Sequence, residues 1–232
     1  MKTLMITIQK GGQGKSMLAV HLAVYAAKQG LKTLVLDLDV QANSSWTLEH
    51  HDSGVSSSQF IAGEFSGIQS KDNLTLVHAD DALADLEDCD LDIIKNQLQQ
   101  SLNRCQDQFD LCIIDTPPTL GLPIIAAGNL ADYAVAPLEL ELYSVQGVSA
   151  LMRILDNLRN QNPKLEFLGI IPNRLDRRRP RLLQNLEYLN SIAESLENQS
   201  NIWESRKTSA RLAKKHMSFV CQYLLEKMGF KK

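Results

Sequence analysis

The sequence lacks the features that define several classes of protein. Its apolar runs, such as residues 111–114, stop far short of the ~20 residues that a membrane-spanning helix needs. The N-terminus becomes polar at Gln9 and Lys10 and has no small-residue cleavage site, which argues against a secretory signal. The four cysteines show neither CxxC pairing nor the His and Cys spacing of a zinc site. We therefore expect a soluble protein of the reducing cytosol, with its thiols as packing residues.

The chain has enough apolar material for one large core. Its 232 residues only slightly exceed the ~100–200 residues that are usual for one domain. A hydrophobic fraction of 44% and a mean hydropathy of −0.17 exclude a disordered chain. Because no internal repeat or low-complexity linker divides it, we expect a single domain over residues 1–232.

Charge is distributed unevenly along the chain. Residues 1–173 carry 11 basic and 21 acidic side chains, whereas residues 174–232 carry 13 basic and six acidic ones. The net charge of −3 therefore conceals an acidic first part and a basic last part. This asymmetry favours contact with nucleic acid or another anionic surface, although solvated helix faces on an ordinary enzyme would also produce it.

Apolar runs of strand length alternate with longer segments at helical spacing. This alternation predicts an α/β fold, a mostly parallel, twisted sheet with helices on both faces. Gly30 is expected to end the first helix as a C-cap glycine, and residues 53–58 are expected to form a surface loop. The predicted strands are residues 3–8, 33–37, 74–78, 111–115, 133–137 and 167–172, and the predicted helices are residues 14–29, 145–160, 180–198 and 219–228.

A glycine-rich loop between the first strand and the first helix carries the strongest chemical signal. Backbone N–H groups of such a loop can approach phosphate oxygens, and the helix N-terminus adds partial positive charge. Lys15 can reach the β- and γ-phosphates, and the Ser16 hydroxyl can ligate Mg²⁺. A standard loop would have glycine where this chain has Gln9. The candidate nucleotide-binding residues are Gly11, Gly12, Gln13, Gly14, Lys15, Ser16 and Met17.

Two acidic segments follow strands whose carboxyl ends should meet the same edge of the sheet. Asp37 and Asp39 end the second strand, and their spacing points both carboxylates the same way on an extended segment. A pair of exposed turn acids is the alternative interpretation. Asp115 ends a run of four apolar residues, which suits a buried strand that delivers one carboxylate to Mg²⁺ through water.

These segments resemble motifs of the ParA/MinD family of ATPases, which includes the nitrogenase iron protein. Lys10 to Ser16 is similar to its deviant Walker A motif, K-G-G-x-G-K-[ST]. Residues 37–41 are similar to its D-x-D-P-Q switch, with Val40 in place of the proline, and residues 115–118 to its D-T-P-P switch. No cysteine has clear motif support for an iron–sulfur cluster, so the iron-protein branch is disfavoured.

The resemblance implies ATP and Mg²⁺ as cofactors and gives individual residues their roles. Lys10 would reach across a nucleotide-sandwich homodimer to the partner's phosphates, while Lys15 would contact phosphate in its own subunit. Asp39 would orient the attacking water or a Mg²⁺-bound water, and Asp115 would hold Mg²⁺. Asn173 would contact the adenine base, although an ordinary turn residue after a proline is an equal alternative.

The resemblance further implies a small partition ATPase of the cytoplasm and nucleoid. Such a protein segregates plasmid DNA or positions cargo, binds DNA without sequence preference as an ATP-bound dimer, and is stimulated by a ParB-like partner. Because the chain starts at the nucleotide-binding strand, we expect no N-terminal helix-turn-helix domain. Residues 174–232 are the candidate DNA-binding region. The candidate side chains there are Arg177, Arg178, Arg179, Arg181, Arg206, Lys207, Arg211, Lys214 and Lys215.

Two alternative functions stay open from the sequence. The first is a MinD-like membrane-associated positioning ATPase, anchored by an amphipathic segment at residues 219–232. For the helical part of that segment, the ordinary interpretation is a terminal helix packed on the sheet. The second alternative is a P-loop kinase or synthetase that acts on a small metabolite.

Overall fold

In the part of the chain that the structure describes, seven parallel strands form one sheet in the order β3-β4-β2-β5-β1-β6-β7. The computed structural model describes residues 1–70, 72–119, 121–139, 144–173 and 210–230, with the backbone alone for residues 144–148 and 210–216. The strands are β1 (Lys2–Ile6), β2 (Thr33–Asp37), β3 (Asp52–Ser56), β4 (Leu74–His78), β5 (Leu111–Asp115), β6 (Tyr133–Glu139) and β7 (Glu166–Asn173). The helices are α1 (Lys15–Lys28), α2 (Asn43–Thr47), α3 (Ser57–Ala62), α4 (Leu91–Cys105), α5 (Leu122–Leu130), α6 (Ser144–Gln161) and α7 (Ala210–Lys227).

The central strands β2, β5 and β1 are buried on both faces. Within β2, Val35 packs in the cluster that contains α1 and α7, whereas Leu34 and Leu36 pack in the cluster that contains α3, α4 and α5. Alternate residues of a strand point to opposite faces, so helices are required on both sides. The parallel register pairs Asp37 with Asp115, which brings the two carboxylates to the same edge of the sheet.

The predicted α/β architecture is confirmed, and every described strand pair is parallel. The predicted bounds of β2, β4 and β5 are those observed. Gly30 ends α1 as expected, with a φ of 88° and a Leu31 N–H bond to the Ala26 carbonyl that is typical of a Schellman C-cap. The predicted helix at residues 180–198 lies outside the described residues.

The prediction of a surface loop at residues 53–58 is wrong. Residues 52–56 form edge strand β3, and Ser57 begins α3. The helix starts there because Ser56 and Gln59 form a capping box, in which each side chain accepts a hydrogen bond from the other residue's N–H. An edge strand needs no continuous apolar run, so the serines and glycine that indicated a loop were compatible with a strand.

The terminal helix α7 packs on the sheet, as the ordinary interpretation of its pattern predicted. Val220, Cys221, Leu224 and Met228 are buried in the cluster that contains α1. Phe219 stays half exposed. Most of the apolar face of α7 that could serve as a membrane anchor is therefore buried within the protein. Among the described residues, no helix has the length and apolar character needed to cross a membrane.

Candidate nucleotide-binding site

The glycine-rich loop leads from β1 directly into α1. Gly12 and Gly14 have φ values of 73° and 94°, a region that residues with a Cβ rarely adopt. Gly14 occupies the N-cap position, no side chain within the described ranges caps α1, and no acidic residue lies in its first turn. The N–H groups of that turn are therefore left for an external anion, which the positive end of the helix also favours.

Two side-chain contacts fasten this loop to the ends of β6 and β7. Gln13 is 2% exposed, and its Oε1 accepts a hydrogen bond from the Glu139 N–H at 2.8 Å. Asn173 Nδ2 donates to the Gln13 carbonyl at 2.9 Å. A Cβ at Gly14 would lie 2.6 Å from that same Nδ2, so a larger residue there would displace the Asn173 amide from this contact. Asn173 thus contacts the phosphate loop itself, and its contact with a base stays a prediction.

Lys15 is the buried cation of the site, with a relative exposure of 6%. Burial lowers the pKa of its ammonium group, while Asp115 and Asp39 act in the opposite direction. The lysine therefore lies in the field of both predicted carboxylates. By contrast, Lys10 is exposed on the same loop, and Met17 is 43% exposed in the first turn of α1.

Asp115 is fully buried and only partly hydrogen-bonded. Its Oδ2 accepts from the Ser44 hydroxyl at 2.7 Å, and its Oδ1 has no hydrogen-bond partner among the described residues. Burial raises the pKa of Asp115 to about 7, and the nearby Asp37 charge adds to that rise. The Ser44 and Ser16 hydroxyls and the charge of Lys15 act against this rise in the pKa. An unpartnered buried carboxylate oxygen near the Ser16 hydroxyl suits a divalent cation or one of its bound waters.

The remaining two predicted acids are not equivalent. Asp37 Oδ1 accepts from the Asp39 N–H at 3.1 Å, and its Oδ2 accepts from both the N–H and the hydroxyl of Ser45. Burial raises the pKa of Asp37. Asp39 Oδ1 accepts from the Gln41 N–H at 3.0 Å, so Asp39 shapes its own turn beside Lys15. Asp37 is therefore committed to holding the structure, and Asp39 is the better candidate for chemistry.

These residues fit Mg²⁺ as the metal. Ser16, Asp39 and Asp115 offer hard oxygen donors, and Mg²⁺ usually takes one or two protein oxygens together with waters and phosphate oxygens. Among the described residues, no group of three or more His, Cys, Asp or Glu side chains forms a metal-binding cluster. The three oxygen donors beside the phosphate loop suit a cation that binds together with the nucleotide.

Sequence reasoning missed the two serines that hold the carboxylates, Ser44 and Ser45. Neither belongs to a phosphate-binding motif, and Ser44 lies 71 residues from its partner Asp115. Thr116, in the predicted second switch, donates its hydroxyl to the Ile6 carbonyl at 2.8 Å and so ties β5 to β1. The predicted DNA-binding side chains all fall outside the described side chains, since residues 174–209 are not described and Arg211, Lys214 and Lys215 lie where α7 is described by its backbone alone.

The chain is similar to proteins with a shared nucleotide-binding fold. Residues 1–167 match a family described as an AAA domain. The chain is 39% identical to protein IncC of Escherichia coli, over 98% of this chain and 70% of IncC. It is 32% identical to the chromosome-partitioning ATPase Soj of Thermus thermophilus, over 73% of this chain and 68% of Soj. Cobyrinic acid a,c-diamide synthase from Mycobacterium smegmatis, solved with bound ADP and magnesium, has a TM-score of 0.83 at 23% identity, over 98% of this chain and 95% of the synthase. At 23% identity, the similarity to the synthase shows a shared fold alone.

Proposed function

Since the chain belongs to the ParA family of partition ATPases, we propose that it is an ATP-driven switch for DNA segregation or cargo positioning. ATP and Mg²⁺ bind at the loop between β1 and α1, and two subunits then close around the nucleotides. The dimer holds DNA without sequence preference. A ParB-like partner bound to the cargo stimulates hydrolysis, which releases the dimer.

The observation that carries this proposal is the placement of Lys15, Asp39 and Asp115 around one loop. Lys15 would neutralise phosphate charge, and this effect is strong because the side chain is buried. Ser16 and Asp115 would hold Mg²⁺, whose charge would assist phosphoryl transfer when the nucleotide is bound. Asp39 would orient the attacking water. All four residues lie at the carboxyl edge of the sheet, where open α/β sheets bind ligands.

The different exposure of the two loop lysines supports different roles for them. Lys15 is buried beside the carboxylates, whereas Lys10 is exposed on the same loop. An exposed cation at this position is available to a second subunit. If Lys10 stabilises the charge that develops on the partner's phosphates, hydrolysis requires dimerisation.

The proposed DNA contact rests on charge and on family membership. Residues 174–232 hold 13 of the 24 basic side chains of the protein. Lysine and arginine that neutralise phosphates release counterions, so the binding should be insensitive to DNA sequence and should weaken steeply with salt. The membrane alternative has less support, because the apolar face of α7 is mostly buried.

The experiment that tests the function is DNA co-sedimentation with no nucleotide, with ADP and with ATP and Mg²⁺, over a salt series. We expect binding that requires ATP and Mg²⁺ and is equal for unrelated DNA sequences. Lys15→Ala is the matched control. Because this variant should not bind the nucleotide, ATP and Mg²⁺ should not induce its binding to DNA. Absence of DNA binding in every state would contradict the proposal, and liposomes in the same assay would test the membrane alternative.

Product analysis addresses the alternative of a metabolite kinase or synthetase. The proposal predicts ADP and inorganic phosphate alone, and a phosphorylated or amidated acceptor would contradict it.

A further inference from the structure

Helix α2 lies directly after the Asp37 to Gln41 segment and carries two adjacent buried serines. Ser44 is 0% exposed and Ser45 is 8% exposed, although the helix has only five residues. The Ser44 hydroxyl donates to Asp115 on β5, and the Ser45 hydroxyl donates to Asp37 on β2, both at 2.7 Å. The Ser45 hydroxyl also accepts from the Ala79 N–H beyond β4. Helix α2 is therefore bonded across the ends of three neighbouring strands.

The backbone entering α2 is held in a conformation that its residue does not favour. Ala42 has a φ of 53° and a ψ of 31°, the left-handed region, and it is the one non-glycine residue with positive φ among the described residues. This conformation costs an alanine about 1 kcal/mol. Such a cost persists where surrounding contacts offset it, and the serine bonds of the helix are such contacts.

The bonding of the two carboxylates is asymmetric in a way that matters for metal binding. Both oxygens of Asp37 have partners, but Asp115 has a partner on Oδ2 and none on Oδ1 within the described part of the chain. A donor fixed to one oxygen sets the rotation of the carboxylate. The other oxygen is then also fixed in direction, and Asp115 lies within electrostatic reach of Ser16 and Lys15.

We propose that Ser44 is a positioning residue for the metal site, holding Asp115 by Oδ2 so that Oδ1 stays directed at Mg²⁺ or its bound water. This inference rests on the proposed Mg²⁺ and nucleotide chemistry, and it assigns to this chain a residue outside the loop and switch motifs. Groups that orient a metal ligand typically change metal affinity by about 10–100-fold when they are removed. The Ser45 hydroxyl also donates to a carboxylate, but its partner is Asp37. Ser45 should therefore contribute to the stability of the fold and have no effect on Mg²⁺ affinity.

The test is a Mg²⁺ titration with a non-hydrolysable ATP analogue, read by calorimetry and by the fluorescence of Trp46. Trp46 is 76% exposed on α2, two residues from Ser44, and Trp203→Phe leaves it as the single tryptophan. We expect Ser44→Ala to raise the Mg²⁺ concentration at half-saturation about tenfold. Its affinity for the analogue in EDTA should be unchanged.

Matched variants separate a positioning role from a structural one. Ser44→Thr retains the hydroxyl and should return the Mg²⁺ midpoint close to the wild-type value. Ser45→Ala should lower the melting temperature and leave the Mg²⁺ midpoint within about twofold of the wild type, well below the change of ~10–100-fold that is typical of groups that orient a metal ligand. Ser44→Cys keeps the volume with a poor donor and replaces Ser44→Ala if that variant does not fold.

The outcomes distinguish the inference from the function on which it rests. Suppose that the wild-type protein responds to Mg²⁺, and that Ser44→Ala and Ser44→Cys both have the same Mg²⁺ midpoint as the wild type. This result would overturn the role of Ser44 and leave the proposed function intact. A wild-type protein that binds the analogue without any Mg²⁺ dependence would overturn the proposed chemistry, and the role of Ser44 with it.

Discussion

Replacing the buried Asp115 by asparagine should stabilise the protein in the absence of Mg²⁺ and nucleotide. The pKa of Asp115 rises from 3.8 to about 7 in the folded protein, mainly because of burial. The folded state therefore binds this proton more tightly than the unfolded chain does. Stability from this group is fully present below pH ~4 and is lost as the pH rises through about 7.

The magnitude follows from the size of that shift. About three pKa units at 1.36 kcal/mol each give roughly 4 kcal/mol as an upper figure for the cost of the charged form. Relaxation of the interior reduces such costs, so we expect Asp115→Asn to gain about 2 kcal/mol at pH 8. At pH 5 the folded carboxyl is protonated but the unfolded one is mostly ionised, so the difference should fall to less than half of its value at pH 8, and it should approach zero only below pH ~4.

Urea unfolding in EDTA at pH 5 and pH 8 measures both values. Asp107→Asn, which removes an exposed carboxylate in the turn after α4, controls for the change in net charge. The same experiment with Mg²⁺ and nucleotide should reverse the order, because under the proposed function the wild type would gain stability from ligands that Asp115 would help to bind. A variant that is no more stable than the wild type at pH 8 in EDTA would refute the electrostatic reasoning.

Four further variants test the phosphate loop and the neighbouring carboxylate of Asp39. Lys15→Ala should lose ATP binding, whereas Lys10→Ala should keep it and lose dimerisation-coupled hydrolysis; equal loss of affinity for a fluorescent ATP analogue in both would contradict the assignment in trans. Asp39→Ala should trap the ATP dimer on DNA, and hydrolysis at the wild-type rate, measured by phosphate release, would exclude Asp39 as the water-orienting residue. Gln13→Leu should weaken ATP binding about tenfold in calorimetry, because a lost anchoring hydrogen bond costs about 1–2 kcal/mol, and unchanged affinity would show that the anchor to Glu139 does not shape the loop.

The sequence predicted the centre of the fold better than its edge, for a physical reason. Strands β2, β4 and β5 are buried, and their apolar runs have the observed bounds. Strand β3 lies at the edge and contains two serines and a glycine, so its composition resembles a loop. Helix α4 was not predicted, although Asp90 caps its first turn by accepting from the N–H groups of Asp92 and Ile93.

The candidate site was also predicted only in part. A phosphate loop needs glycines and a lysine at fixed spacing, so its motif is visible in the chain, and the carboxylates are visible because each ends an apolar run. The contacts that hold them join residues far apart: Gln13 and Glu139 are separated by 126 positions, and Ser44 and Asp115 by 71. A serine or a glutamine has many possible partners, and only the register of β2 with β5 and the placement of β6 decide which one it meets.

The electrostatics of the site explain how binding could act as a switch. Asp39 and Asp115 lie close enough to the buried Lys15 to raise its pKa, and Asp37 lies close enough to Asp115 to raise the pKa of that carboxyl, so acidic groups outnumber this lysine in a buried region. Mg²⁺ would relieve this imbalance, while the phosphates would bring negative charge to Lys15 and to the N-terminus of α1. Mg²⁺ would thus compensate the carboxylates, and the phosphates would compensate Lys15 and the N-terminus of α1. Because Asp115 and Asp37 are also the anchors of α2, the balance of charge in the site is coupled to the helix that displays Trp46 at the surface.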